Sequence, residues 1–144
     1  MTAINAVIDI DKQIQTKYKF RIAGKERAMT FSDIEAIELS KVELRVTKII
    51  DGITDKEMKE LDKEPVDQQA AYLKNKYDEL HTIVTNFFDK NFGQGSGAEI
   101  YKFYNGSTRA VTTVFRKVAD YLDKVDVSKA KVAHYSNHNA KRGK

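Results

Sequence analysis

A mainly α domain of about four to five helices with an N-terminal β-hairpin is the fold this sequence predicts. Three features point to it. Apolar residues recur at helical spacing over long stretches, Ser/Thr-x-x-Glu boxes stand at several of their starts, and two short alternating runs flank a glycine turn. The expected organisation is a lead-in over 1–16, a helical domain over 17–126 with its hairpin in 17–31, and a basic, flexible tail over 127–144.

Residues 1–16 keep no sustained period and read as irregular or weakly extended. Tyr18, Phe20 and Ile22 then alternate with Lys19 and Arg21, the pattern of a half-buried strand. Ala23-Gly24-Lys25-Glu26 supplies a turn, and Met29 and Phe31 resume the alternation with Arg27 and Thr30 beside them. A lone hairpin is marginal in water, so its apolar face must rest on the helices that follow.

The first helix opens at the capping box Ser32-Asp33-Ile34-Glu35. Leu39, Val42, Val46, Ile49 and Ile53 follow as one 3-4-3-4 stripe, and Asp51-Gly52 is the expected stop. The alternation in Val42–Val46 also suits a strand, but the cap and the longer stripe favour helix. A second box, Thr54-Asp55-Lys56-Glu57, starts a short charged helix anchored by Met58 and Leu61 and interrupted at Pro65. Val66, Ala70, Leu73, Tyr77, Leu80, Val84 and Phe87 then run through three heptads, the longest helix, with Phe88 and Phe92 widening the stripe and Gly93 ending it. Ser96 and Glu99 form a third box for a short aromatic helix that stops at Asn105-Gly106. Ser107 caps a last helix carrying Val111, Val114, Phe115, Val118, Tyr121, Leu122 and Val125.

Composition removes several chemistries. With no cysteine there are no disulfides, thiolates or Cys-type zinc sites, which fits a reducing compartment. The acidic start, with Asp9 and Asp11 and no basic n-region, is not expected to be a secretory signal. No apolar run approaches the roughly 20 residues of a membrane span. Residues 127–144 hold five basic side chains (Lys129, Lys131, Lys141, Arg142 and Lys144) and no acid. With +4 on the whole chain, the other 126 residues carry −1.

No set of groups converges for catalysis, so neither enzyme activity nor a cofactor is expected. His134 and His138 have i, i+4 spacing but sit in the tail with no acidic third ligand near. His81 borders the Leu80 stripe position and reads as a boundary side chain. Gly93-Gln94-Gly95-Ser96-Gly97 lacks the Lys-Ser/Thr of a phosphate loop, and flexibility between helices accounts for its glycines. Six aromatics, Phe87, Phe88, Phe92, Tyr101, Phe103 and Tyr104, crowd into eighteen residues and are expected chiefly to fill the core, with some left for a partner.

With these elements in place, the chain resembles the small tail assembly chaperones of long-tailed (siphovirus-type) phages and prophages of Gram-positive bacteria. The likeness rests on the hairpin around Tyr18–Phe31, a helical middle, the segment FFDKNFGQGSGAEIYKFYNG over Phe87–Gly106 and a closing helix over Ser107–Val125. It spans residues 17–125. The basic tail has no counterpart in it, and the charged Thr54–Glu64 segment reads as an insertion.

The resemblance implies a non-enzymatic role in virion morphogenesis. Such a chaperone coats the tape measure protein in the host cytoplasm, self-associates as a homo-oligomer, and leaves as tail tube subunits polymerise, so it is absent from the mature virion. In many such phages a frameshifted C-terminal extension recruits the tail tube protein; here the slippage point would lie near the lysine-rich tail. The surfaces proposed to reach beyond the monomer are Leu39, Val42, Val46 and Ile49 on one helix, and Phe88, Tyr101 and Tyr104. Burial within one subunit is the alternative for all seven. Two other functions compete: a structural tail or virion component, and a small nucleic-acid-binding module using the basic tail.

Overall fold

The structure, a computed structural model, describes residues 6–54 and 56–125, without the side chains at 54 and 56–58. Two strands, β1 (Lys17–Ile22) and β2 (Lys25–Thr30), precede five helices: α1 (Asp33–Thr54), α2 (Lys56–Leu61), α3 (Val66–Phe92), α4 (Ser96–Phe103) and α5 (Thr108–Val125). The fold is mainly helical with an N-terminal antiparallel hairpin, as expected. Within the described lead-in, the regular structure is a single 3-10 turn at Asp11–Gln13.

The hairpin turn is tighter than the four residues expected. Only Ala23 and Gly24 form it, both with positive φ (53° and 79°), the turn type whose twist matches that of the strands. Lys25 and Glu26 already belong to β2. The register pairs Tyr18 with Met29, Phe20 with Arg27 and Ile22 with Lys25. Because directly opposed residues share a face, Arg27 lies with the apolar set, and it is buried along with Tyr18, Ile22 and Met29. Its Nε donates to the Ile22 carbonyl at 3.1 Å and its Nη1 to Glu99 of α4 at 3.1 Å. Satisfied in this way, a guanidinium can lie under a sheet.

At the start of α1, the Ser32 hydroxyl donates to the Glu35 carboxylate at 2.6 Å, so the two residues of the first box meet side chain to side chain. The helix does not stop at Gly52. Ile49, Ile50 and Ile53 keep packing on the core, and that burial outweighs the roughly 1 kcal/mol a helical glycine costs. The second box falls outside the described side chains.

α3 is the spine and touches α1, α4, α5 and β2. Its 27 residues span about 40 Å, against about 33 Å for the 22 of α1, about 12 Å for the eight of α4 and about 27 Å for the 18 of α5. α1 reaches along it as far as Tyr72, whose hydroxyl donates to the Gly52 carbonyl at 3.4 Å. The heptad stripe is covered only in part: Leu80, Val84 and Phe87 are buried, whereas Val66, Ala70 and Tyr77 are exposed.

The α3–α4 junction departs from the expected capping box. The Ser96 hydroxyl donates back to the Phe92 carbonyl at 3.1 Å, and the Gly97 N–H donates to Asp89 Oδ1 at 2.8 Å. Asp89, at the end of α3, thus satisfies a donor in the first turn of α4, and Glu99 is freed to face the hairpin. Gly97 is not a flexible spacer. It lies in α4 pressed against the backbone of Thr85 on α3. Asn105 and Gly106 end α4 as expected: their N–H groups donate to the Lys102 and Tyr101 carbonyls at 3.1 and 2.9 Å, the paired bonds of a Schellman stop. Ser107 Oγ accepts the Ala110 N–H at 3.1 Å and caps α5. The buried faces of the hairpin, α1, α3, α4 and α5 join in one hydrophobic cluster.

Candidate functional site

The residues proposed to reach beyond the monomer divide on inspection. Leu39, Val46 and Phe88 are within 1% of complete burial, so they are core and not partner surface. Val42, Ile49, Tyr101 and Tyr104 are half-buried and pack against that core. The geometry is simple: α1 lies on α3 and α5, and the 3-4-3-4 stripe is the side it turns inward. Lys129, Lys131, Lys141, Arg142 and Lys144 lie outside the described residues, as do His134 and His138.

Sequence reasoning missed a second stripe on α1. Ile34, Ile37 and Leu44 are 70%, 59% and 65% exposed. At 100° per residue they fall, with Lys41 and Lys48, on an arc of about 80° opposite Leu39 and Val46. The spacing was readable, but the inner stripe repeats more regularly and draws the eye first. Two further apolar areas lie bare: the α3 stripe at Val66 and Tyr77, and the lead-in, where Val7, Ile8, Ile10 and Ile14 are each more than half exposed. Isolated exposed apolar residues are ordinary; runs of them on one face mark contact surfaces.

A groove of about 500 Å³ runs between β1 and α5, with Phe20, Tyr121, Val114 and Val118 among its walls. Tyr121 is wedged edge-on against Tyr18 and Phe20 at centroid distances of 6.1 and 5.7 Å. His81 meets the Tyr101 ring at 4.4 Å, and its buried Nδ1 has no hydrogen-bond partner among the described residues. Among the described residues no group of three or more His, Asp or Glu is placed to hold a metal, and no helix is long and apolar enough to cross a membrane.

One polar cluster ties the hairpin to α4. Glu99 accepts from Lys25 Nζ at 3.1 Å and from buried Arg27 at 3.1 Å. The hydrogen bond from Lys25, then that from Arg27, holds the Glu99 carboxyl below its ordinary value of 4.5. A folded-state value below the unfolded one adds stability that is present above 4.5 and lost as pH falls through the lowered value. Glu99→Gln is therefore expected to unfold at lower temperature than the parent at neutral pH, with the difference shrinking under acid. Parallel melting curves at both pH values check this; a gap independent of pH contradicts it.

Comparison with protein families, curated proteins and solved structures finds no match to this chain.

Proposed function

We propose that this chain is a tail assembly chaperone of the long-tailed phage type. It holds a tape measure protein in solution during tail morphogenesis through non-covalent helix-to-helix contacts. The observation that carries this reading is the outward stripe of Ile34, Ile37 and Leu44, an apolar strip on a long helix that the subunit itself leaves bare. A tape measure protein is long and helical, and its own apolar stripes would otherwise find one another. A bare helical ridge covers such a stripe by groove contact. Lys41 and Lys48 are interleaved with the ridge on the same arc, and their long stems can lie along a client while their ammonium groups stay in water.

Each such contact is weak. Many self-associated copies laid along one client bind by avidity, and the coat still comes away when tail tube subunits compete. The site of action is then the host cytoplasm, and the mature virion lacks the protein. Co-expression with the tape measure protein tests the reading directly: the client should become soluble and co-purify.

The combined variant Ile37→Asp/Leu44→Asp is expected to melt within a few degrees of the parent, because exposed substitutions are worth about ±0.5 kcal/mol. Client affinity should fall at least tenfold, since each buried Leu or Ile contributes about 1.5–3 kcal/mol and about 1.4 kcal/mol is a factor of ten. Undiminished client solubility with that variant removes the α1 ridge from the mechanism. Binding that collapses between low and moderate salt would instead indicate phosphate contacts and a nucleic-acid partner.

A further inference from the structure

We propose that the lead-in segment Val7–Asp11 of one copy docks as an added strand along β1 of a second copy. This deepens the self-association in the function proposed above and rests on that part alone; client rescue and arm docking can fail separately.

The hairpin sheet has only two strands, and β2 covers one side of β1. The groove between β1 and α5 is lined by five consecutive residues of β1, Tyr18 to Ile22. Consecutive strand residues point to opposite faces, so a groove lined by all five runs along the strand's edge. The two-residue turn closes on Ile22 and Lys25, which makes 22–25, 20–27 and 18–29 the pairs that exchange hydrogen bonds. The backbone groups of Lys19 and Arg21 are left directed outward, towards that edge.

The arm has the matching pattern. Ile8 and Ile10 alternate with Asp9 and Asp11. Once the 3-10 turn at Asp11–Gln13 and the exposed Asp9–Lys12 pair at 3.8 Å open on docking, the extended arm carries an apolar face and an acidic one. Added at the β1 edge, Ile8 and Ile10 continue the inner face over Phe20, Val118 and Tyr121. Asp9 and Asp11 then stand on the outer face beside Lys19 and Arg21, opposite charges at cross-strand distance. Lys19 has no ion pair among the described residues, and Arg21 meets Glu26 only at 3.8 Å with both side chains largely exposed. A third cation, Lys117, lines the far wall, and no acid lines the groove.

Within its own subunit the arm leaves this groove unfilled: Val7, Ile8 and Ile10 are 89%, 75% and 56% exposed. A second copy is thus the occupant. Arm into groove is a contact between different surfaces, so it propagates from copy to copy unless the geometry closes.

The chain has no cysteine, which permits a clean linking test on the full-length protein. One batch carries Ile10→Cys and another Val114→Cys, and the two are mixed with a short bis-maleimide. The expected product is a covalent pair of the two different chains. It should be lost when the arm carries Asp9→Lys and Asp11→Lys, and return when the partner carries Lys19→Glu and Arg21→Glu. Three results overturn the proposal: no linked pair, a pair indifferent to charge reversal, or linkage confined within one doubly substituted chain at high dilution. All these positions except Val114, which is half-buried, are exposed, so circular dichroism should report an unchanged fold.

Discussion

Phe88→Ala is expected to lower stability by about 3–5 kcal/mol, the range for emptying a buried aromatic site. Phe88 is fully buried and is among the largest enclosed side chains of the domain. Its ring stands 5.8 Å from Phe87 and is stacked on Phe92 at 6.0 Å, and Phe92 in turn meets Phe20 of the hairpin at 6.2 Å. Truncation therefore opens a cavity where α3 supports the hairpin, and two aromatic contacts lose their anchor together. For a domain of this size, the melting temperature should drop by roughly 10 °C or more. Urea unfolding of the pure protein checks this through its midpoint. The opposite outcome is as informative: an unchanged midpoint with lost self-association would make Phe88 a partner residue after all.

That residue also shows where sequence reading and structure part company. The helices, their order and most of their ends follow from local rules: Ser32 with Glu35, Ser107 and Asn105-Gly106 each act within one turn of chain, and each stands where expected. Which side of a helix is core is a different kind of question. On α1, the stripes through Leu39 and Ile34 are both apolar, and only the placement of α3 and α5 decides between them. The same holds along α3, where one heptad pattern is buried at Leu80 and bare at Val66, and only the placement of the other elements decides which part is covered. Periodicity reports that a face is greasy; it does not report what covers it.

Long-range polar pairs were equally hidden. Arg27 has the parity of Met29 and Phe31, so alternation already puts it on their face, but nothing local tells what would satisfy a guanidinium there. Its partner, Glu99, is 72 residues away and has the sequence context of a capping glutamate. No local signal distinguishes those two roles. The cap that α4 does use, Asp89, comes from the preceding helix. The lead-in reads as irregular, because the alternation Ile8-Asp9-Ile10-Asp11 is too short to stand out as a strand.

Gly97→Ala sets two effects of opposite sign against each other at one position. Helix propensity favours alanine over glycine by about 1 kcal/mol, so on local grounds the substitution should stabilise α4. Packing says otherwise. A methyl there would come 2.5 Å from the Thr85 carbonyl oxygen and 2.9 Å from its Cα, both backbone atoms of a buried stretch of α3. They cannot swing aside as a flexible side chain would, so α4 must back away. Backing away loosens the Asp89 bond to the Gly97 N–H, draws Ile100 out of the core and pulls Glu99 from Arg27. Overpacking of this kind costs about 1–3 kcal/mol before such losses, so packing should win and the net change be destabilising by about 2 kcal/mol or more. Thr85→Ala should not rescue it, because the nearest clash is with a carbonyl that every residue carries. Gly95→Ala is the useful contrast, with open space around it and only its φ of 92° to strain. Equal or greater stability for Gly97→Ala in urea would mean that α3 and α4 do not approach this closely. The tie between the hairpin and α4 would then need another explanation.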